Sequence, residues 1–238
     1  MIPKIIHYCW FGGNEKSALI KRCIESWQRF CPDYEIKEWG ESTFDLASAP
    51  VYVREAYEAK KWAFVTDYVR LWAMHEYGGV YMDTDVEIVR PIDEFLCHRG
   101  FTGFEDDVHM VTGIMAAEKE LPLMKSLLSY YDTRHFVLED GSFDMTTNTV
   151  SITNALKSMG FVPNGHLQVN DGFAIYPSDF FCPLDDATGK LSKTKNTAAI
   201  HWFNKSWLTE KVRLRSKITR VFHRIFGVDC FKIFKRKK

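Results

Sequence analysis

Two aspartates one residue apart, Asp83 and Asp85, close the apolar run of "YGGVYMDTDVEIVRP" at residues 77–91. In an extended chain alternate side chains share a face, so this spacing predicts both carboxylates pointing the same way. Like charges held that close repel, and burial would raise at least one pKa. A divalent cation removes the conflict, because hard ions take carboxylate oxygens as ligands. Upstream, in "FVTDYVRLW", Asp67 and Arg70 stand three apart and share a face if the segment is helical. A plain helix ion pair accounts for them equally well, and such pairs contribute only ~0.2–0.5 kcal/mol. Near the other end, "HWFNKSW" offers His201, whose imidazole suits Mn²⁺ in a mixed nitrogen and oxygen site. A lone histidine after an apolar strand is also commonly just packed.

Elements must bring these residues together. "IIHYCW" reads as a buried strand over residues 5–10, ended by Gly12 and Gly13. Leu19, Ile20, Cys23, Ile24 and Trp27 recur at helical spacing, predicting a helix over about 17–30. "YEIKEW" then gives a second strand, and this β-α-β opening favours a parallel sheet with chemistry at its strand ends. Residues 51–77 read as helix in two pieces, stopped by Gly78 and Gly79. "VYMD" is the next strand. "FTGF" and "GIMAA" are further strands around an acidic "EDD" turn, and "PLMKSLLSYYD" is a helix with Pro122 near its start. "TTNTVSIT" reads as a Thr-rich turn, and "AIYPSDFFCP" and "AAIHWF" as extended segments.

The 238 residues, 46% hydrophobic and 26% charged, describe a folded globular chain of one large domain or of one domain with an appendage. The six cysteines show no C-x-x-C or zinc spacing and are expected as reduced, mostly buried thiols. No apolar stretch approaches the roughly 20 residues needed to cross a bilayer, and the N-terminus lacks a signal-like apolar core. A cytoplasmic location is expected.

The full arrangement is more specific than its parts: D-x-x-R, an aromatic-rich turn, G-G, then Y-x-D-x-D. It resembles the DxD glycosyltransferases of the GT-A fold. In particular it resembles the sugar-binding-region family (glycosyltransferase family 32) of initiating mannosyltransferases and capsular polysaccharide transferases. The glucosylating domains of bacterial toxins are more distant. "IPKIIHYCWFGG" resembles the opening strand of that family and "HWFNKSW" its closing motif, so the likeness spans about residues 1–207. The resemblance implies one Rossmann-like α/β domain with a mixed central sheet over 1–207. Residues 208–238 are then a basic amphipathic helical tail.

It also implies roles. Asp85 would ligate Mn²⁺ or Mg²⁺, with Asp83 toward the ribose or sugar and reaching the metal through water. His201 would complete the metal shell. Asp67 and Arg70 would hold donor-sugar hydroxyls and the phosphate side, Trp10 would stack on the nucleobase, and Tyr81 would line the cleft. Trp10 and Tyr81 are also ordinary packing residues. Ser206 and Trp207 would belong to a loop that closes on the diphosphate, with Lys205 adding charge compensation. The implied donor is a nucleotide-sugar, UDP-galactose or UDP-glucose ahead of GDP-mannose, and the acceptor is a glycan, lipid-linked, in bacterial surface polysaccharide synthesis. Relatives carry Asn where this chain has Thr112, and Gly-Pro near Asn148, which bears on donor-sugar and acceptor preference.

The family retains anomeric configuration, and no motif fixes a carboxylate nucleophile. Same-face attack through an oxocarbenium-like ion pair is therefore expected, with Asp106 or Asp107 as alternative nucleophile or base. In the tail, Ile218, Val221, Phe222 and Ile225 recur at helical spacing among Arg215, Lys217, Arg220 and Arg224, and a basic cluster occupies 235–238. Such a segment suits the inner face of an anionic membrane, or else packs on the domain with a solvated basic face. No nucleic-acid partner is expected. Two rivals stand beside this reading. "VYMDTDV" also fits a haloacid-dehalogenase-type phosphatase with Asp83 as nucleophile and Asp85 as general acid. A carbohydrate-binding or membrane-surface protein without turnover would keep the fold alone.

Overall fold

The computed structural model describes residues 1–111, 113–205, 210–228 and 230. Strand β1 (Ile5–Cys9) leads into helix α1 (Ala18–Phe30), whose Ser17 side chain caps the Ile20 N–H. Ile20, Cys23 and Trp27 form its buried face. Strand β2 (Glu35–Trp39) then pairs parallel with β1. Helices α2 (Val51–Glu58) and α3 (Trp62–Tyr77) are the two expected pieces. Gly78 ends α3 at φ +65°, its N–H bonded to the Met74 carbonyl. A Cβ there would fall 2.7 Å from the Lys119 nitrogen, so only glycine lets the chain turn so sharply into β3 (Gly79–Met82).

Strands β5 (Gly100–Gly103), β6 (Ile114–Ala117), β7 (Gln168–Asn170) and β8 (Phe173–Tyr176) complete a seven-stranded mixed sheet ordered β2-β1-β3-β6-β5-β8-β7. β1 is parallel to both β2 and β3, whereas β6 runs antiparallel to its neighbours β3 and β5. Side-chain alternation divides the core. Tyr81 and Met115 join the cluster built on α2, α3 and α4 (Pro122–Ser129). Val80, Met82 and Ile114 face the opposite cluster, with Trp27. There a small separate ladder forms from β4 (Val86–Ile88) and β9 (Ala199–His201). Trp27 Nε1 donates to the Val86 carbonyl at 2.7 Å, tying α1 to this ladder.

Three readings need correction. "TTNTVSIT" is no turn: Asn148 opens helix α5 (Asn148–Ser158), whose Ile152 and Leu156 are buried. Its β-branched residues masked the helix by lowering propensity, and burial of the apolar positions overrides that. "AIYPSDFFCP" divides at Pro177 into β8 and a one-turn helix, α6 (Ser178–Phe181). The DxD stretch itself is not extended, as shown below. Four of the six cysteines are buried, Cys97 is exposed and Cys230 half-buried, all as free thiols.

Helix α7 (Glu210–Phe226) meets the domain through its polar side. Arg220 bonds both the carboxylate and the carbonyl of Asp186, and Lys205 reaches Asp186 at 2.7 Å and the Ser216 hydroxyl at 3.3 Å. Leu214, Ile218, Val221 and Ile225, spaced four, three and four apart, are exposed. Among the described residues no helix is long and apolar enough to cross a membrane.

Candidate active site

Parallel strands β1 and β3 end side by side, and ligands of open α/β sheets gather at such carboxyl ends. Trp10 follows β1 and Asp83 follows β3. The Asp83 N–H donates to the Gly113 carbonyl at 2.7 Å, and the Val86 N–H returns to the Asp83 carbonyl at 2.9 Å. Residues 83–86 thus form a tight turn, not a strand. The strand alternation instead joins Tyr81 to Asp83, whose Oδ1 accepts from the Tyr81 hydroxyl at 3.2 Å. The turn, and not a shared strand face, aims Asp83 and Asp85 at a common point.

That point lies beside His201. The register of the small ladder sets Val86 opposite His201. His201 Nε2 stands 3.4 Å from Asp85 Oδ1 and 4.0 Å from Asp83 Oδ2. One ligand atom from each of the three side chains falls within 4.8 Å of the others, the dimensions of a divalent-cation site. Asp85 Oδ2 also accepts from the Asn204 N–H at 2.6 Å, and its carbonyl from the Trp202 N–H. The closing "HWFN" segment therefore wraps the second aspartate. Two carboxylates and one imidazole fit Mn²⁺ or Mg²⁺ by chemistry, Mn²⁺ better for its tolerance of nitrogen.

Electrostatics agree with this arrangement. Burial alone would raise the Asp85 carboxyl, but the His201 imidazole and the Asn204 N–H hold it below its ordinary value. Burial likewise opposes charge on His201, and the Asp85 carboxylate overrides it, raising the imidazole well above its usual pKa. The two groups form a buried ion pair.

A second group adjoins the first. Arg70 Nη2 lies 3.2 Å from Asp67 Oδ1 and 3.2 Å from Asp83 Oδ1, its guanidinium 4.6 Å above the Tyr81 ring. The pair on α3 is therefore more than a helix salt bridge, since it reaches the DxD turn. Burial pushes the Asp67 carboxyl up, and Arg70 offsets only part of that. Asp67 Oδ2 accepts the Asn148 N–H at 3.0 Å, and the Asn148 amide donates to the Asp67 carbonyl at 2.9 Å. The departure noted at Asn148 thus touches the same carboxylate.

Trp10 is half-buried, its Nε1 donating to the Asn14 carbonyl, with Lys16 5.3 Å over the ring. Asp106 caps its own turn, accepting the Val108 and His109 N–H groups and the His109 ring, so its carboxylate is already engaged. Ser206, Trp207 and Thr112 lie outside the described residues, as do 231–238. One acid escaped notice in the sequence. Glu105 places Oε2 4.0 Å from His201 Nδ1. Alternation from Phe101 through Gly103 sets it on the β9 side, which is the signal the sequence carries for it.

Comparison with known proteins fits this geometry. Residues 17–102, which hold Asp67, Arg70, Asp83 and Asp85, match the family model "Glycosyltransferase sugar-binding region containing DXD motif". The matched segment resembles that family, and the fold resembles that of GT-A glycosyltransferases of known structure. Among curated proteins, inositol phosphoceramide mannosyltransferase 3 of Schizosaccharomyces pombe is 30% identical over 102 residues, covering 40% of this chain. The chain spans 27% of that relative's length. The PaToxG glycosyltransferase structure superposes with a TM-score of 0.51 at 19% identity, over 66% of this chain and 69% of that one. A glycosyltransferase involved in glycosylation of the major capsid of PBCV-1 gives 0.52 at 12% identity, over 91% and 98%. Both share its fold.

Proposed function

We propose that the chain is a metal-dependent retaining glycosyltransferase. It moves a hexose from a nucleotide-sugar, UDP-galactose or UDP-glucose, to a lipid-linked glycan acceptor in bacterial surface polysaccharide synthesis. The observation that carries this reading is the convergence of Asp83, Asp85 and His201 within 4.8 Å. Asp85 and His201 would hold Mn²⁺ or Mg²⁺ with Asp83 beside them, and the bound ion would supply charge neutralisation for a diphosphate leaving group. Arg70 balances Asp83 and Asp67, so that Asp67 can accept donor-sugar hydroxyls without an uncompensated buried charge. Trp10 supplies an aromatic face for the base and Tyr81 a wall of the cleft. Ser206 and Trp207, by the resemblance, are assigned to the diphosphate of the donor. The departing phosphate takes the proton of the acceptor hydroxyl as it attacks from the same side.

Residues 1–207 form the catalytic unit and 208–238 the tail. The outward apolar stripe of α7 supports peripheral contact with an anionic membrane at its inner face, near a lipid-linked acceptor. Deletion of 211–238 should release the protein from anionic vesicles.

The test is transfer of labelled hexose from UDP-galactose and UDP-glucose, with Mn²⁺ and with chelator. Turnover that needs the metal and is lost in Asp85→Ala, while nucleotide binding survives, supports the proposal. Nucleotide-sugar binding with no turnover to any glycan acceptor would favour a binding protein instead.

A further inference from the structure

We infer that Glu105 is a positioning residue for the candidate metal centre, holding the His201 imidazole in the tautomer that leaves Nε2 open to a cation. The inference rests on the metal-dependent reading above and assigns a role to an acid outside the DxD turn.

His201 has acids at both ring nitrogens. Nε2 faces Asp85 at 3.4 Å and Asp83 at 4.0 Å, while Nδ1 faces Glu105 Oε2 at 4.0 Å. The ring has little freedom to turn. Phe203 lies against it with centroids 4.1 Å apart, and on another side a Cβ at Gly113 would come within 3.2 Å of its Cγ and Cδ2. A cation at Nε2 needs a lone pair there, which leaves the proton on Nδ1. That N–H calls for an acceptor, and a carboxylate is the strongest a protein offers. Glu105 is held in place for this, because its N–H donates to the His109 carbonyl at 3.0 Å and closes the 105–109 turn.

The Cys182 side chain also bonds to the imidazole. A thiol is a weak acceptor without fixed charge, so it orients the ring less strongly than a carboxylate. At 4.0 Å the Glu105 contact is electrostatic, which is enough to favour Nδ1–H over the other tautomer.

The experiment titrates Mn²⁺ into the full chain without donor, following the free-ion electron paramagnetic resonance signal. Glu105→Gln should weaken Mn²⁺ binding about 10–100-fold, the range typical of such supporting carboxylates. Glu105→Asp should recover part of the loss, and Cys182→Ala should stay within about threefold of the wild type. Imidazole ¹⁵N spectra of the Mg²⁺-loaded wild type should show His201 protonated at Nδ1, a readout independent of how any variant folds. Equal affinity in Glu105→Gln and wild type overturns the inference while leaving the metal reading intact, whereas a proton on Nε2 of the loaded protein overturns both. Failure of the wild type to bind Mn²⁺ at all overturns both.

Discussion

Val86 and His201 face each other across the antiparallel β4–β9 pair, although they lie 115 positions apart in the chain. The β4–β9 ladder fastens the closing motif to the DxD turn before any ligand arrives. Removing the imidazole should therefore damage the metal site without unfolding it. His201→Ala is expected to lower Mn²⁺ affinity at least about tenfold, equivalent to ~1.4 kcal/mol, by isothermal titration. Its melting temperature without metal should fall as well, because the buried Asp85 carboxylate loses its partner.

The same pair should make the proposed cation binding pH-dependent. Without metal, Asp85 keeps His201 protonated to well above its usual pKa. A cation must displace that proton, so affinity falls as pH falls. Below the raised pKa, each pH unit lost should cost about tenfold in Mn²⁺ affinity, with one proton released per ion bound. Titration in buffers of differing ionisation enthalpy counts that proton.

Arg70 joins two carboxylates on different elements, and removing it would strand both. Arg70→Met should destabilise the fold by about 3–5 kcal/mol, as expected for breaking a buried ion pair from one side. The double variant with Asp67→Asn should be the more stable of the two. Urea unfolding followed by tryptophan fluorescence measures both.

His7, within β1, is fully buried, with Nε2 against the Gly78 carbonyl at 2.7 Å and Nδ1 accepting from Trp39 Nε1 at 3.1 Å. Both bonds suit the neutral ring. Burial lowers its pKa from 6.5 to about 4, despite the bond to Gly78. The unfolded chain binds the proton first, so His7's contribution is complete above pH 6.5 and is lost as pH falls toward 4. The loss should approach about 3 kcal/mol. Urea midpoints across that range should fall more steeply for wild type than for His7→Gln.

Much of this was legible from the sequence because buried strands and helices write strong periodicities. α1, α2, α3 and the first three strands stand where apolar spacing and glycines set them. The three-residue strands β4 and β7 are too short to show a period, and β4 exists through its pairing with β9. Helix α5 was hidden by its threonines. In the site, the metal-ligand types were legible, but their common aim depends on a turn fixed by the distant Gly113 carbonyl. The alternation of β5 gives the side on which Glu105 lies but not its partner, which comes from residue 201.

The most direct test is a crystal of the protein soaked with Mn²⁺ and UDP, read by anomalous scattering at the manganese edge. The account predicts one strong peak among the carboxylates of Asp83 and Asp85 and the imidazole of His201, touching the diphosphate. Bound nucleotide with no manganese there, or with the ion seated elsewhere, would contradict it.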